Sequence, residues 1–157
     1  MPLRIFEPSN RNGLRSHHCG GCVECCRAMA VPELPKPEFT TCPHQEPGGC
    51  GIYATRPEPC VSFRCGYITR WLDKYGSEAR PDRCKVIAWG MKGTVWGDVL
   101  TLSECVPYAT QQGIGARMLA DMAATQLVLV VNKRSRQLCG PPQVVAEAKR
   151  KMRGDIV

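Results

Sequence analysis

Between Cys19 and Cys65 the chain places eight of its eleven cysteines: Cys19, Cys22, Cys25, Cys26, Cys42, Cys50, Cys60 and Cys65. The first four stand as C-x-x-C-x-x-C-C, and the others are spread along a Pro/Gly-rich segment. Thiols at this density form either a disulfide framework in an oxidising compartment or a set of metal ligands in a reducing one. The leading MPLRIFEPSNRNGLRSHH has no apolar core of a secretory signal, so a cytoplasmic location and metal-binding cysteines are expected. An odd total also cannot pair completely within one chain. No apolar run approaches the roughly 20 residues of a membrane span, so no membrane association is expected.

At 157 residues the chain suits one domain, or a small module joined to a modest one. The expected division is a cysteine-rich metal-binding module over 1–76 and a small α+β unit over 77–157 packed on it. A hydrophobic content of 43% excludes wholesale disorder. The net charge of +7 changes meaning if thiolates form. From Cys19 to Cys65 the basic residues are Arg27, Lys36, Arg56 and Arg64, and the acidic ones are Glu24, Glu33, Glu38, Glu46 and Glu58. Nearby cations lower thiol pKa values and favour the ligating form, which leaves less of the positive charge for a polyanionic partner.

C-x-x-C lets two sulfurs converge on one metal through a tight turn, with Gly20 and Gly21 supplying freedom. Cys25 and Cys26 diverge in an extended chain but approach one region in a helix or turn. One of them ligates with the other behind it, or they serve two metals. His17, His18 and His44 are read as bystanders, because the cysteines already supply enough ligands. Five prolines over 31–47 disfavour helix and central strand, giving an extended connector that returns Cys42 to the knuckle. Cys50-Gly51 and Cys65-Gly66 are each read as turning a backbone N–H toward sulfur. Arg56-Pro57 and Pro59 aim Cys60, and Tyr53 and Phe63 shield the centre from water.

Farther along, apolar residues at 67, 68, 71, 72 and 75 predict a helix over 67–75 closed by Gly76. Residues 84–90 and 94–102 predict a hairpin turning at Met91-Lys92-Gly93. A helical pattern covers 109–126, with Ile114, Met118, Leu119 and Met122 on one face. Leu127 to Val131 reads as a buried strand, and a helix follows over 142–153 with proline at its start. The expected fold class is therefore α+β: an irregular cysteine-rich N-terminal module, then a β-β-α-β-α unit with helices on one face of its sheet. Cys84, Cys105 and Cys139 are read as small buried hydrophobes outside the site.

The order C19-G-G-C22-V-E-C25-C26, C42-P, G49-C50-G-I-Y53-x-x-R56-P57-x-x-C60-x-x-F63-x-C65 resembles the CxxCxxCC (YkgJ-type) family of zinc- or iron-chelating proteins. The likeness covers residues 16–68. Arg80-Pro81-Asp82 is similar to the segment after which longer members carry an extension. The resemblance implies metal binding through these eight cysteines and no particular substrate. Flagellin lysine methylase carries a similar module, which keeps an enzyme using the metal centre, protein-modifying or redox, as the alternative.

Two metal readings stand side by side. Zinc suits the C-x-x-C knuckle and four tetrahedral thiolates, twice over for eight cysteines. An iron–sulfur cluster is suggested by Cys19-x2-Cys22-x2-Cys25 with the remote Cys42-Pro43, although a bacterial ferredoxin run places its fourth cysteine where this chain has Met29. The lone Gly113-x-Gly115 lacks a third glycine at 118, so no dinucleotide is expected. The basic runs Lys133-Arg134-Ser135-Arg136 and Lys149-Arg150-Lys151-Met152-Arg153 lack the interleaved aromatics of a single-strand binder. A nucleic-acid-binding zinc module is therefore the weakest alternative, and no protein partner is indicated.

Overall fold

The structure is a computed structural model that describes Cys19 and residues 21–154. The expected irregular lead-in and the pair His17 and His18 lie outside the described residues. Among the described residues no helix is long and apolar enough to cross a membrane.

The fold mixes α and β, and its centre is a four-stranded sheet. The strands are β3 (Val86–Thr94), β4 (Gly97–Glu104), β5 (Val128–Val131) and β6 (Arg136–Cys139), hydrogen-bonded in the order β3-β4-β5-β6. β3 and β4 form the expected hairpin, β4 and β5 run parallel, and β5 and β6 are antiparallel. Helix α4 (Gly113–Ala123) makes the crossover that the parallel pair requires. Helix α5 (Pro142–Arg153) closes the described chain where the sequence places it. All four residues of β5 are buried, as expected for a strand covered on both faces.

Side-chain alternation divides the core in two. Val86, Ala88, Leu100, Leu102, Val128 and Val130 meet Met118 and Met122 of α4, together with Leu72, Tyr75 and Ala79. Val99, Leu129 and Val131 point the other way, toward Ala148 and Val145 of α5. The helices therefore cover opposite faces, not one. Sequence periodicity gives each element a buried side but not the face of the sheet against which it rests. Beside α5, on that same face, Ile87 packs with Ala28 and Cys65, and Phe39, Phe63 and Trp89 join them. Half of one sheet face is thus the floor on which the cysteine-rich segment stands.

Several expected elements change. β6 is an additional strand, making the order after residue 84 β-β-α-β-β-α. Its Arg136 and Gln137 are exposed, so it carries no apolar alternation to reveal it. The hairpin does not turn at Met91-Lys92-Gly93. β3 runs on to Thr94 and the turn is Val95-Trp96, with the register shifting between Met91 and Thr94. Gly93, at φ 66°, donates its N–H to Asp98 Oδ1 at 3.0 Å. That makes it an irregularity within the ladder. No α-helix forms over 67–75. Arg70 sits at φ 62°, which interrupts helical bonding, and a 3₁₀ segment follows over Asp73–Ala79 with Gly76 at its kink, then the short α3 (Pro81–Cys84). The apolar residues nonetheless turn inward: Leu72 and Tyr75 are buried in the core, with half-buried Tyr67 and Trp71 packed against it.

Candidate metal centre

Each candidate cysteine is held by a short local device. Cys25 and Cys26 lie in α1 (Glu24–Ala28), the helical state in which adjacent thiols approach one region. The connector then doubles back along α1. Phe39 N–H bonds Ala28 O at 3.0 Å, and Cys42 N–H bonds Cys26 O at 2.8 Å, so Cys42 returns to the knuckle as expected. A two-residue hairpin of β1 (Gln45–Glu46) and β2 (Gly49–Cys50) presents Cys50. Cys60 lies in α2 (Glu58–Ser62), which starts on Pro57 and Pro59 because their fixed φ suits a first helical turn. Cys65 is buried against Ile87 on the sheet floor.

All eight cysteines line one cavity of about 630 Å³. Its wall is otherwise mainly apolar, with Met29, Val31, Ile52, Phe63, Ile68 and Ile87 among the lining residues. Four cations also reach it: Lys36, Arg56, Arg64 and Arg80. Cys84, Cys105 and Cys139 do not line it, nor does His44. Among the described residues, no three His, Cys, Asp or Glu side chains are already gathered as a metal-holding group. The thiols share a chamber without being closed on a point within it.

Electrostatics inside the chamber follow from burial and proximity. Burial pushes the Cys19, Cys22 and Cys60 thiols up, and neighbouring thiols add to the rise. The Cys25 thiol shares its proton with Cys26, which raises Cys25 and lowers Cys26; Lys36 and Arg27 assist the lowering. Lys36 is 4% exposed. Its ammonium donates to Met29 O and, at 3.4 Å, to Pro37 O. Burial lowers its pKa, while Cys42, Cys26, Cys25 and Cys60 act in the opposite direction. Arg80 is neutralised by Asp82, with Nε to Oδ1 at 2.6 Å. Arg56 lies over the Tyr53 ring at 3.8 Å, and Arg64 donates to Val61 O at 2.6 Å.

Three local expectations change. Gly51 N–H donates to His44 O at 2.8 Å and Gly66 N–H to Ala88 O at 2.7 Å, so neither turns toward sulfur. Small size is required at Gly66, against the Trp71 ring and the Ala88 backbone, while at Gly51 the exposed Glu46 side chain could move aside. A Cβ on Gly51 would lie 2.4 Å from Glu46 Oε1, and one on Gly66 would lie 2.2 Å from Trp71 Cε3. Tyr53 is 65% exposed and stands at the cavity rim, whereas Phe63 does pack inward, edge-on to Trp89 at 6.1 Å. Sequence reasoning also missed the surroundings of Cys22. Buried Glu24 binds Lys85 at 2.9 Å, and Cys105 N–H bonds Lys85 O at 2.8 Å. Burial raises the Cys105 thiol, and Glu24, Cys84 and Cys22 raise it further. Cys84 rises to about 11, mainly by burial. The β3–β4 pairing brings Lys85 and Cys105 together and the Lys85 ion pair adds Glu24 of α1, so no sequence spacing could have signalled them.

The basic runs occupy separate places. Lys133 and Arg134 are in the turn before β6, while Lys149 to Arg153 form the end of α5, where Lys151 meets Glu147 at 3.2 Å. No protein-family model, curated protein or solved structure matches the chain.

Proposed function

We propose that this protein is a thiolate metal protein, in which Cys19, Cys22, Cys25, Cys26, Cys42, Cys50, Cys60 and Cys65 hold zinc or an iron–sulfur cluster. The observation that carries the reading is the single cavity lined by all eight. They lie on three short elements, α1, β2 and α2, and on the turns around them, yet all line one space. The donor set fits the group: soft thiolates select zinc and iron–sulfur centres over harder cations. The lining apolar residues limit water, which strengthens metal–thiolate attraction. When bound, the metal supplies cross-links between α1, the connector, the β1–β2 hairpin and α2. The short turns carrying the cysteines would close around it.

Replacing Cys22 with serine is expected to lower bound metal per chain, read by elemental analysis of anaerobically purified protein. Unchanged metal content would sink the reading. Absorbance near 400 nm in the same sample assigns iron–sulfur, and its absence together with stoichiometric zinc assigns zinc. An enzymatic use of the centre draws on the cavity volume, which lies in the range of small-molecule sites. Turnover that disappears with the metal would support that use.

A further inference from the structure

Among the described residues, the cavity wall contains one buried cation that no carboxylate pairs. Among the described residues Lys36 is the only buried lysine or arginine, at 4% exposed. No carboxylate among them forms an ion pair with it; its ammonium meets only the carbonyls of Met29 and Pro37. The other cavity cations differ. Arg80 is paired with Asp82, and Arg56 and Arg64 are bonded to exposed backbone carbonyls. A buried ammonium with only neutral partners is costly, and proteins retain one where an opposite charge stands nearby. The chain holds it there firmly. Val31 and Lys36 exchange backbone bonds at 2.9 and 3.1 Å, closing the loop that carries the side chain inward. The same cavity is lined by Cys25, Cys26, Cys42 and Cys60, whose negative charge would favour the ammonium.

We propose that the Lys36 ammonium is the fixed counter-charge of the metal–thiolate centre, a positioning residue that lowers the free energy of the thiolate-ligated state. This rests on the reading of the cavity given above. A divalent metal on four thiolates keeps net negative charge, and a buried cation beside it offsets that charge without occupying a coordination position. The effect is the one that partners outside the ligand sphere exert on other metal sites: they set affinity and the reactivity of the ligands.

Lys36→Gln separates charge from tether, because its amide still reaches for a backbone carbonyl while the charge is gone. Lys36→Arg keeps the charge. In competition with EDTA, Lys36→Gln is expected to weaken metal retention by roughly ten- to a hundredfold, and Lys36→Arg to stay close to wild type. Circular dichroism of both variants monitors the sheet and helices. A readout that a mere tether would not move accompanies the affinity. Without the ammonium, zinc-bound thiolates alkylate faster, or an iron–sulfur centre shifts its reduction potential to more negative values. Metal retention and thiol reactivity in Lys36→Gln equal to wild type would overturn the inference while leaving the metal centre standing. A wild-type chain that retains no metal would instead remove the centre, and this role with it.

Discussion

Residues 19–66 and residues 86–153 reach order by different means. The second region buries Ile87, Leu100, Leu102, Met118, Met122 and the whole of Leu127 to Val131. Over the first, the buried hydrophobic residues are Ala28, Val31, Cys42 and Cys65, and the charged Glu24 and Lys36 are buried beside them. A segment with so little buried apolar surface gains too little to offset the entropy of ordering its chain. Its turns, α1 and α2 are each too short to persist alone. The same chain thus contains a region rich in buried apolar side chains and another with few; on the proposed reading, metal cross-links through the eight thiols would supply what apolar burial there does not.

The largest test of that contrast is metal removal. Structural metal supplies on the order of 10 kcal/mol in small modules, so exhaustive chelation is expected to abolish amide hydrogen-exchange protection over 19–66. Protection in β4, β5 and α4 should persist. Equal loss in both regions would show that they form one cooperative unit. The converse test strikes the apolar region. Leu102 is fully buried, and Leu102→Ala is expected to cost about 3 kcal/mol in urea unfolding while bound metal per folded chain stays constant.

A smaller effect concerns a buried carboxylate that stabilises the sheet without any metal. Glu104 accepts from Thr110 N–H at 2.9 Å, Thr110 Oγ1 at 2.6 Å and Asn132 Nδ2 at 2.8 Å. Burial raises its pKa, but those hydrogen bonds outweigh it and leave the carboxyl below its ordinary 4.5. A depressed folded pKa contributes stability that is complete above 4.5 and is lost as pH falls through the lower folded value. Glu104→Gln is expected to cost about 2 kcal/mol at pH 7, and its urea midpoint should fall less than that of wild type below pH 4.5. The smallest expected effect is that of Cys139→Ser. Cys139 packs beside the α4-facing core and does not line the cavity, so metal content should be unchanged. A loss there would erase the boundary between the two regions.

Much of the second region was legible because its elements are long enough for periodicity to speak. Leu127 to Val131 and the Pro142 start of α5 needed only local rules. Where the spacing at 67, 68, 71, 72 and 75 predicted a helix, burial was right and conformation was not: successive turns can bury the same side chains. In the first region the eight cysteines were legible as a set because cysteine chemistry is rare and their spacing is tight. Their supports were not. Gly66 is needed beside Trp71 and bonds Ala88, a partner more than twenty residues away.

By itself the sequence determined which side chains are apolar, which are thiols, and the periods at which they recur, since these follow from residue identity and local geometry. Only the tertiary structure decided that α4 and α5 take opposite faces of the sheet and that Lys85, bonded through its carbonyl to Cys105, pairs with buried Glu24. It also decided that Lys36 is buried in the wall of the cavity that the thiols line. Each depends on which distant backbone the chain meets, and strand pairing and burial settle that only when the whole chain packs at once.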